Sequence, residues 1–312
     1  MKFAGFIVGP ERSGTTLTSA FLSQHPEIYV INDPHYLNFF AEAVLPQINK
    51  NNSVEILNCM HSQRATYDFK NILDSTLGSV KSWYERWEEF KDDPVDLRLF
   101  YDSHDTLCTT KPTTIARYFH KFHLSLIPKV IRYSKPKYVV KIPDLARYTF
   151  IIESLYGDMP IIYNVRHPVC NIASIIDPNK DRGWSFERII MWYKCFFPQD
   201  ILEKTRKNVI YTRYEDLVFY NRKTALKCIL LSLGLSAQDM LFQDEFMYPN
   251  KKVMRKTQGK VNPKRLISSL NDLTPIQLLQ ALEQTVHIQK AFYPDLSLMK
   301  IIEDVSSQNG PY

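Results

Sequence analysis

Residues 9–16 read Gly-Pro-Glu-Arg-Ser-Gly-Thr-Thr, the spacing of a phosphate-binding loop from which the usual lysine is missing. An apolar run at 3–8 precedes the loop and a helical pattern at 17–22 follows it, so the context is strand, loop, helix. Such a junction aims several backbone N–H groups and the positive end of a helix dipole at an anion. A loop that hydrolyses nucleotides ends Gly-Lys-Ser/Thr, where the lysine reaches the outer phosphates and the hydroxyl binds magnesium. Here Thr15 takes the lysine's place, and the nearest cation is Arg12, two residues before Gly14. The loop suits a phosphate-like group held by a different cation geometry from that of an ATPase.

Four further apolar, β-branched or aromatic runs follow, at 28–31, 138–140, 161–165 and 209–212, and most lead into helix-like segments such as 169–176 and 222–233. This alternation predicts an α/β fold with a P-loop-type central parallel sheet flanked by helices. Residues from about 41 to 129 differ, carrying helical patterns dense in aromatics that include Trp83, Tyr84, Trp87, Phe90, Phe119 and Phe122. They read as a largely helical insertion between the second and third strands, inside one domain spanning 1–312. The aromatics first supply that insertion's core, and secondarily offer walls for an acceptor pocket.

Each apolar run ends in polar groups: Gly9-Pro-Glu-Arg12, Asn32-Asp33-Pro34-His35, Lys141-Ile-Pro-Asp144, Arg166-His-Pro168 and Arg213-Tyr-Glu-Asp216. In open parallel sheets, ligands bind in the crevice beyond the carboxyl ends of the strands. Five such ends on one rim make a cleft for an anion. The net charge of +6 over 312 residues suits an anionic ligand but is too mild for a polybasic nucleic-acid or membrane surface. The cations also sit at strand ends and form no stripe, which argues against a nucleic-acid partner. Five scattered cysteines without a C-x-x-C pair read as free thiols in a reducing compartment, and no metal site is visible. With no signal-peptide pattern and no transmembrane stretch, a cytoplasmic protein is expected.

The Arg12-Ser13-Gly14-Thr15-Thr16-Leu17 loop resembles the 5′-phosphosulfate element of the sulfotransferase superfamily, enzymes that use 3′-phosphoadenosine-5′-phosphosulfate (PAPS). It has the arginine form found in tyrosylprotein and carbohydrate sulfotransferases. Val165-Arg166-His167-Pro168, with Ser174 eight residues after the arginine, resembles the family's 3′-phosphate element. The segment Tyr211-Thr-Arg-Tyr-Glu-Asp-Leu217 is similar to its fifth-strand segment. The resemblance implies an enzyme that binds PAPS through Arg12, Ser13, Gly14, Thr15 and Thr16 at one end and Arg166 and Ser174 at the other, with Tyr214 beside them. It further implies that Lys141 helps stabilise the transferred sulfuryl group, and that Arg255 and Lys260 belong to a basic loop folding over the nucleotide.

Sulfuryl transfer resembles phosphoryl transfer, in which in-line positioning and electrostatics dominate. The acceptor loses a proton as it attacks, so a base is required. Asp33 is favoured, because tyrosylprotein sulfotransferases have a glutamate at that spacing; His35 competes, because the cytosolic branch uses histidine. The expected reaction moves sulfate from PAPS to a hydroxyl or amine of a small-molecule or natural-product acceptor, releasing 3′-phosphoadenosine-5′-phosphate without a metal. Two alternatives stay open from the residues alone: a small-molecule kinase using Mg-ATP, in which Asp33 helps hold magnesium, and a non-catalytic protein that keeps the nucleotide site.

Overall fold

Strand β1 (Lys2–Val8) is buried from Phe3 to Val8, and a strand covered on both faces belongs in the middle of a sandwiched sheet. The computed structural model, which describes residues 1–32, 36–50, 73–76, 78–79, 115–127, 129–176, 183–237, 245–246 and 259–307, places it there. With β2 (Ile28–Asn32), β3 (Lys137–Lys141), β4 (Ile161–Val165) and β5 (Val209–Arg213), it forms a parallel sheet ordered β2-β3-β1-β4-β5. All five apolar runs are strands, and the expected helix-flanked parallel sheet is the observed one.

Helix α1 (Thr15–Ser23) joins β1 to β2. Between β2 and β3 come α2 (Tyr36–Lys50), α3 (Ile115–Ser125) and α4 (Lys129–Ser134). A 3-10 turn (Pro143–Tyr148) and α5 (Thr149–Tyr156) lead to β4, then α6 (Pro168–Ile175), α7 (Phe186–Lys194) and α8 (Gln199–Leu202) to β5. After β5 run α9 (Tyr214–Val218), α10 (Arg222–Ser232) and a short antiparallel pair, β6 (Glu245–Phe246) with β7 (Gly259–Lys260). Two 3-10 turns (Pro263–Leu266 and Ser268–Asp272) then precede α11 (Pro275–Gln284), α12 (Val286–Phe292) and α13 (Leu298–Ser307).

The pleat sends alternate side chains to opposite faces, giving two cores. Ala4, Ile7, Val30, Val139 and Ile162 meet Phe21 and Leu22 of α1 and Leu226, Ile229 and Leu230 of α10. Phe3, Phe6, Val8, Tyr138, Val140, Tyr163 and Val165 face the larger core, which also takes Phe40, Phe119 and Phe122. Described residues between β2 and β3 are mostly helical, and Phe119 and Phe122 are core residues. Trp83, Tyr84, Trp87 and Phe90 lie outside the described residues. Chain leaving β1 runs toward β2 at one edge, whereas chain leaving β4 runs toward β5 at the other. The crevice at such a switch point opens between the carboxyl ends of β1 and β4.

His123 of α3 packs in this larger core against the rings of Phe3 and Tyr138. Burial, reinforced by nearby His120, holds its pKa down at about 3 against an ordinary 6.5. The unfolded chain binds a proton there that the folded chain refuses, so this group's stabilisation is present above pH 6.5 and is lost as pH falls toward 3. His123→Leu is expected to flatten the pH dependence of unfolding by about 1.4 kcal/mol per pH unit between about pH 4 and 6. Urea unfolding of parent and variant across that range measures it.

Candidate active site

The loop after β1 descends onto β4 because Gly9 has no side chain. Its φ is 149°, and a Cβ there would stand 2.3 Å from the Asn164 carbonyl oxygen. Gly14, at φ 100°, caps α1, and a Cβ there would stand 2.5 Å from the Tyr214 ring. Between them Arg12 adopts a left-handed φ of 68°, which costs a non-glycine residue about 1 kcal/mol. The Ser13 N–H closes the loop on the Pro10 carbonyl at 3.1 Å. The loop then runs into the first turn of α1 and its N–H groups. Those N–H groups lack intrahelical partners, and Gly14 as the cap has no side chain to occupy them.

Polar cross-links fix α1 against the sheet. Asn164 of β4 donates to the Thr18 hydroxyl at 2.8 Å, and Ser19 donates to Asn32 of β2 at 2.6 Å. Buried Lys141, at the end of β3, donates to the Thr16 hydroxyl at 3.3 Å. The Ser13 hydroxyl is buried with no partner among the described residues. Asn32, the last residue of β2 and the one before the base candidates in sequence, is in register with Lys141; those candidates are Asp33 and His35. Both lie outside the described residues, as does Arg255; Lys260 is placed only by the backbone of β7. His25 ends α1 as a structural residue, accepting the Glu27 N–H on Nδ1 at 3.1 Å.

Arg166 leaves the end of β4 with only 5% of its surface exposed. Its Nη2 donates to the carbonyls of Arg265 at 2.7 Å and Leu266 at 3.1 Å, and Nη1 to that of Arg12 at 3.5 Å. Its Nε is buried without a partner among the described residues. The Ser174 hydroxyl donates to the Asn171 carbonyl at 2.8 Å, while the Ser174 carbonyl accepts Arg12 Nε at 3.3 Å. Arg12, Arg166 and Ser174, far apart in the chain, thus meet at one place. The Tyr214 ring packs against Gly14 on one side and lies 4.9 Å from the Arg166 guanidinium on another. Burial raises the Tyr214 hydroxyl pKa, and the charges of Arg166, Arg265 and Arg12 pull it the other way.

Two participants escaped the sequence reading. Arg265, exposed on the Pro263–Leu266 turn, lends its carbonyl to Arg166 and its charge to the surroundings of Tyr214. Glu215 is the other, buried behind Arg166. Arg213, by contrast, is an expected strand-end cation that the fold spends elsewhere, in ion pairs with Asp216 at 2.8 Å and Asp295 at 2.7 Å.

A family model described as "Sulfotransferase family" matches residues 6–239, three quarters of the chain. The chain belongs to the sulfotransferase family. The match holds Arg12, Lys141, Arg166, Ser174 and Tyr214 and stops before Arg255, Lys260 and Arg265. The fold is similar to the sulfotransferase domain of the Synechococcus PCC 7002 olefin synthase, at 18% identity and TM-score 0.50, with 91% of this chain and 94% of that one covered. It is similar also to the sulfotransferase domain of the curacin biosynthetic pathway, at 16% identity and TM-score 0.52, covering 92% and 98%. No curated protein matches. Among the described residues, no helix of this sulfotransferase is long and apolar enough to cross a membrane, and no cluster of His, Cys, Asp or Glu is arranged to hold a metal.

The backbone collision at Gly9 predicts a larger cost than a positive φ alone. Gly9→Ala, which collides with backbone, is expected to lose about 3 kcal/mol of unfolding free energy. Gly157→Ala, at φ 59° and ψ −130° with open space around it, carries backbone strain alone and should lose about 1–2 kcal/mol. Chemical denaturation of both variants separates collision from backbone strain.

Proposed function

We propose that this sulfotransferase moves a sulfuryl group from PAPS to a hydroxyl (or amine) of a small-molecule acceptor by in-line displacement. The observation that carries the reading is the buried Arg166 guanidinium, whose Nε lacks a partner among the described residues, beside a loop shaped for an anion. Taking a guanidinium out of water costs several kcal/mol, more than a few carbonyl contacts return. An arriving phosphate fits that unmet donor, and a donor with two separated phosphates accounts for two neighbouring anion seats. The buried, unpartnered Ser13 hydroxyl fits the same picture at the loop.

In this reading the first-turn amides of α1 and the Thr15 and Thr16 hydroxyls hold the 5′ end of the donor, and Arg12 stabilises the departing 5′-phosphate. Lys141, already in contact with Thr16, neutralises charge on the transferred group. Arg166 and Ser174 take the 3′-phosphate, Tyr214 spaces the two seats, and the basic segment of Arg255, Lys260 and Arg265 covers the nucleotide. The acceptor oxygen or nitrogen forms its bond to sulfur as the sulfur–oxygen bond to the 5′-phosphate breaks. 3′-Phosphoadenosine-5′-phosphate leaves with that electron pair, and Asp33 (or His35) takes the acceptor's proton. No divalent cation is assigned a role, since the donor has no triphosphate to neutralise. The aromatic-rich insertion at about 41–129 shapes the acceptor pocket within a single domain that acts in the cytoplasm.

Incubation with PAPS and a panel of alcohols and amines, read by mass spectrometry, should yield a sulfate-sized mass gain on at least one acceptor; none on any acceptor contradicts the reading. On that acceptor, Arg12→Ala is expected to lower kcat by about 10²–10³. Asp33→Ala should lower it by about 10²–10⁴ with His35→Ala nearly unchanged. The reverse pattern moves the base to His35, and full activity in the double variant removes both.

A further inference from the structure

The transfer reading gives no task to Glu215, the second residue of α9 and fully buried. Burial raises its carboxyl above the ordinary carboxylate range, opposed by hydrogen bonds and by the charge of Arg166. A buried acid is costly, so its retention calls for satisfied partners. Both oxygens have them. Oε1 accepts the His167 N–H at 2.9 Å, and Oε2 accepts the Tyr293 hydroxyl at 2.8 Å. Tyr293 follows α12, so the carboxylate ties the C-terminal helices to the turn after β4.

The His167 N–H is one pole of the Arg166–His167 peptide, and the other pole is the Arg166 carbonyl. That carbonyl accepts the hydroxyl of Tyr193, from α7, at 3.4 Å. One peptide is therefore gripped at both ends, by a carboxylate on one side and a phenol on the other. The same peptide opens α6, where His167 is the capping residue but supplies no side-chain cap of its own. From α9, Glu215 instead accepts the N–H of the capping residue itself, placing an acid at the positive end of α6. The His167 ring is buried and packs edge-on to Tyr293 at 5.2 Å, adding a ring contact to the same place. Rotating this peptide would swing the Arg166 side chain off its line toward Arg12 and Ser174.

We propose that Glu215 is a positioning residue that aims Arg166, by clamping the Arg166–His167 peptide together with Tyr293 and Tyr193, and so sets the preference for a nucleotide carrying a 3′-phosphate. The inference rests on the donor reading above. It separates Glu215 from the groups that touch the nucleotide, since it acts only through the backbone of its neighbour.

The test compares affinities for 3′-phosphoadenosine-5′-phosphate and adenosine 5′-phosphate in the parent, Glu215→Ala, Glu215→Gln and Tyr293→Phe. Glu215→Ala should cut the ratio of the two affinities about tenfold, with adenosine 5′-phosphate binding nearly unchanged. Glutamine keeps an acceptor for the His167 N–H, so Glu215→Gln should restore the ratio to within about threefold of the parent. Tyr293→Phe, which removes one hydroxyl and keeps the ring, should lower the ratio in the same direction by less, and keeps the test alive where the alanine variant does not fold. A parent that prefers the 3′-phosphorylated nucleotide, with variants that keep the whole preference, overturns this inference alone. A parent that binds both nucleotides equally overturns the donor reading and this inference with it.

Discussion

The approach of a bare backbone to its neighbours at Gly9 and Gly14 is the contact on which the rim depends. At Gly9 the chain rests on the Asn164 carbonyl of β4, and at Gly14 on the face of Tyr214 after β5. Those two points bring the loop after β1 against the turns after β4 and β5, and they set the path along which α1 starts. The links Asn164–Thr18 and Ser19–Asn32 then hold the helix at that angle. A side chain at either glycine would lift the loop away, and Arg12 would no longer meet Ser174.

Electrostatics build on that geometry. Arg12 and Arg166 lie close enough for the carbonyl of one to accept from the other, and Tyr214 sits under both charges. Like charges gathered in a half-buried place cost free energy, and each hydrogen bond from a guanidinium to a backbone carbonyl returns about 1.5–3 kcal/mol of it. In the proposed reading, the phosphates of the donor bring the negative charge that such a place favours. The same geometry couples the two proposed seats, because Arg12 Nε holds the Ser174 carbonyl and the Arg166 guanidinium holds that of Arg12.

The sheet and the loop were legible in the sequence for local reasons. A strand buried on both faces, such as β4 with all five residues covered, reads as an unbroken apolar run, and the left-handed glycines of the loop are visible as glycines. Arg166 was legible because it ends such a run. The partners of Arg166 were not, since the carbonyls of Arg265 and Leu266 are about a hundred residues away and any residue type carries a carbonyl. Glu215 is one acid within the segment Tyr211–Leu217, and nothing in its spacing separates it from the adjacent Asp216. Its burial follows from where Tyr293 and His167 arrive in three dimensions, which no periodicity encodes. The spending of Arg213 on Asp216 and Asp295 was equally invisible, because Asp295 belongs to the distant C-terminal segment.

The central claim is that Arg12, Arg166 and Ser174 together hold a nucleotide bearing both a 5′- and a 3′-phosphate, without a metal. Calorimetric titration with 3′-phosphoadenosine-5′-phosphate in the presence of a chelator, set against Mg-ATP, tests it most directly. The account predicts tight, saturable binding of the bisphosphate in chelator and none of Mg-ATP. Binding of Mg-ATP, with the bisphosphate ignored, would contradict it.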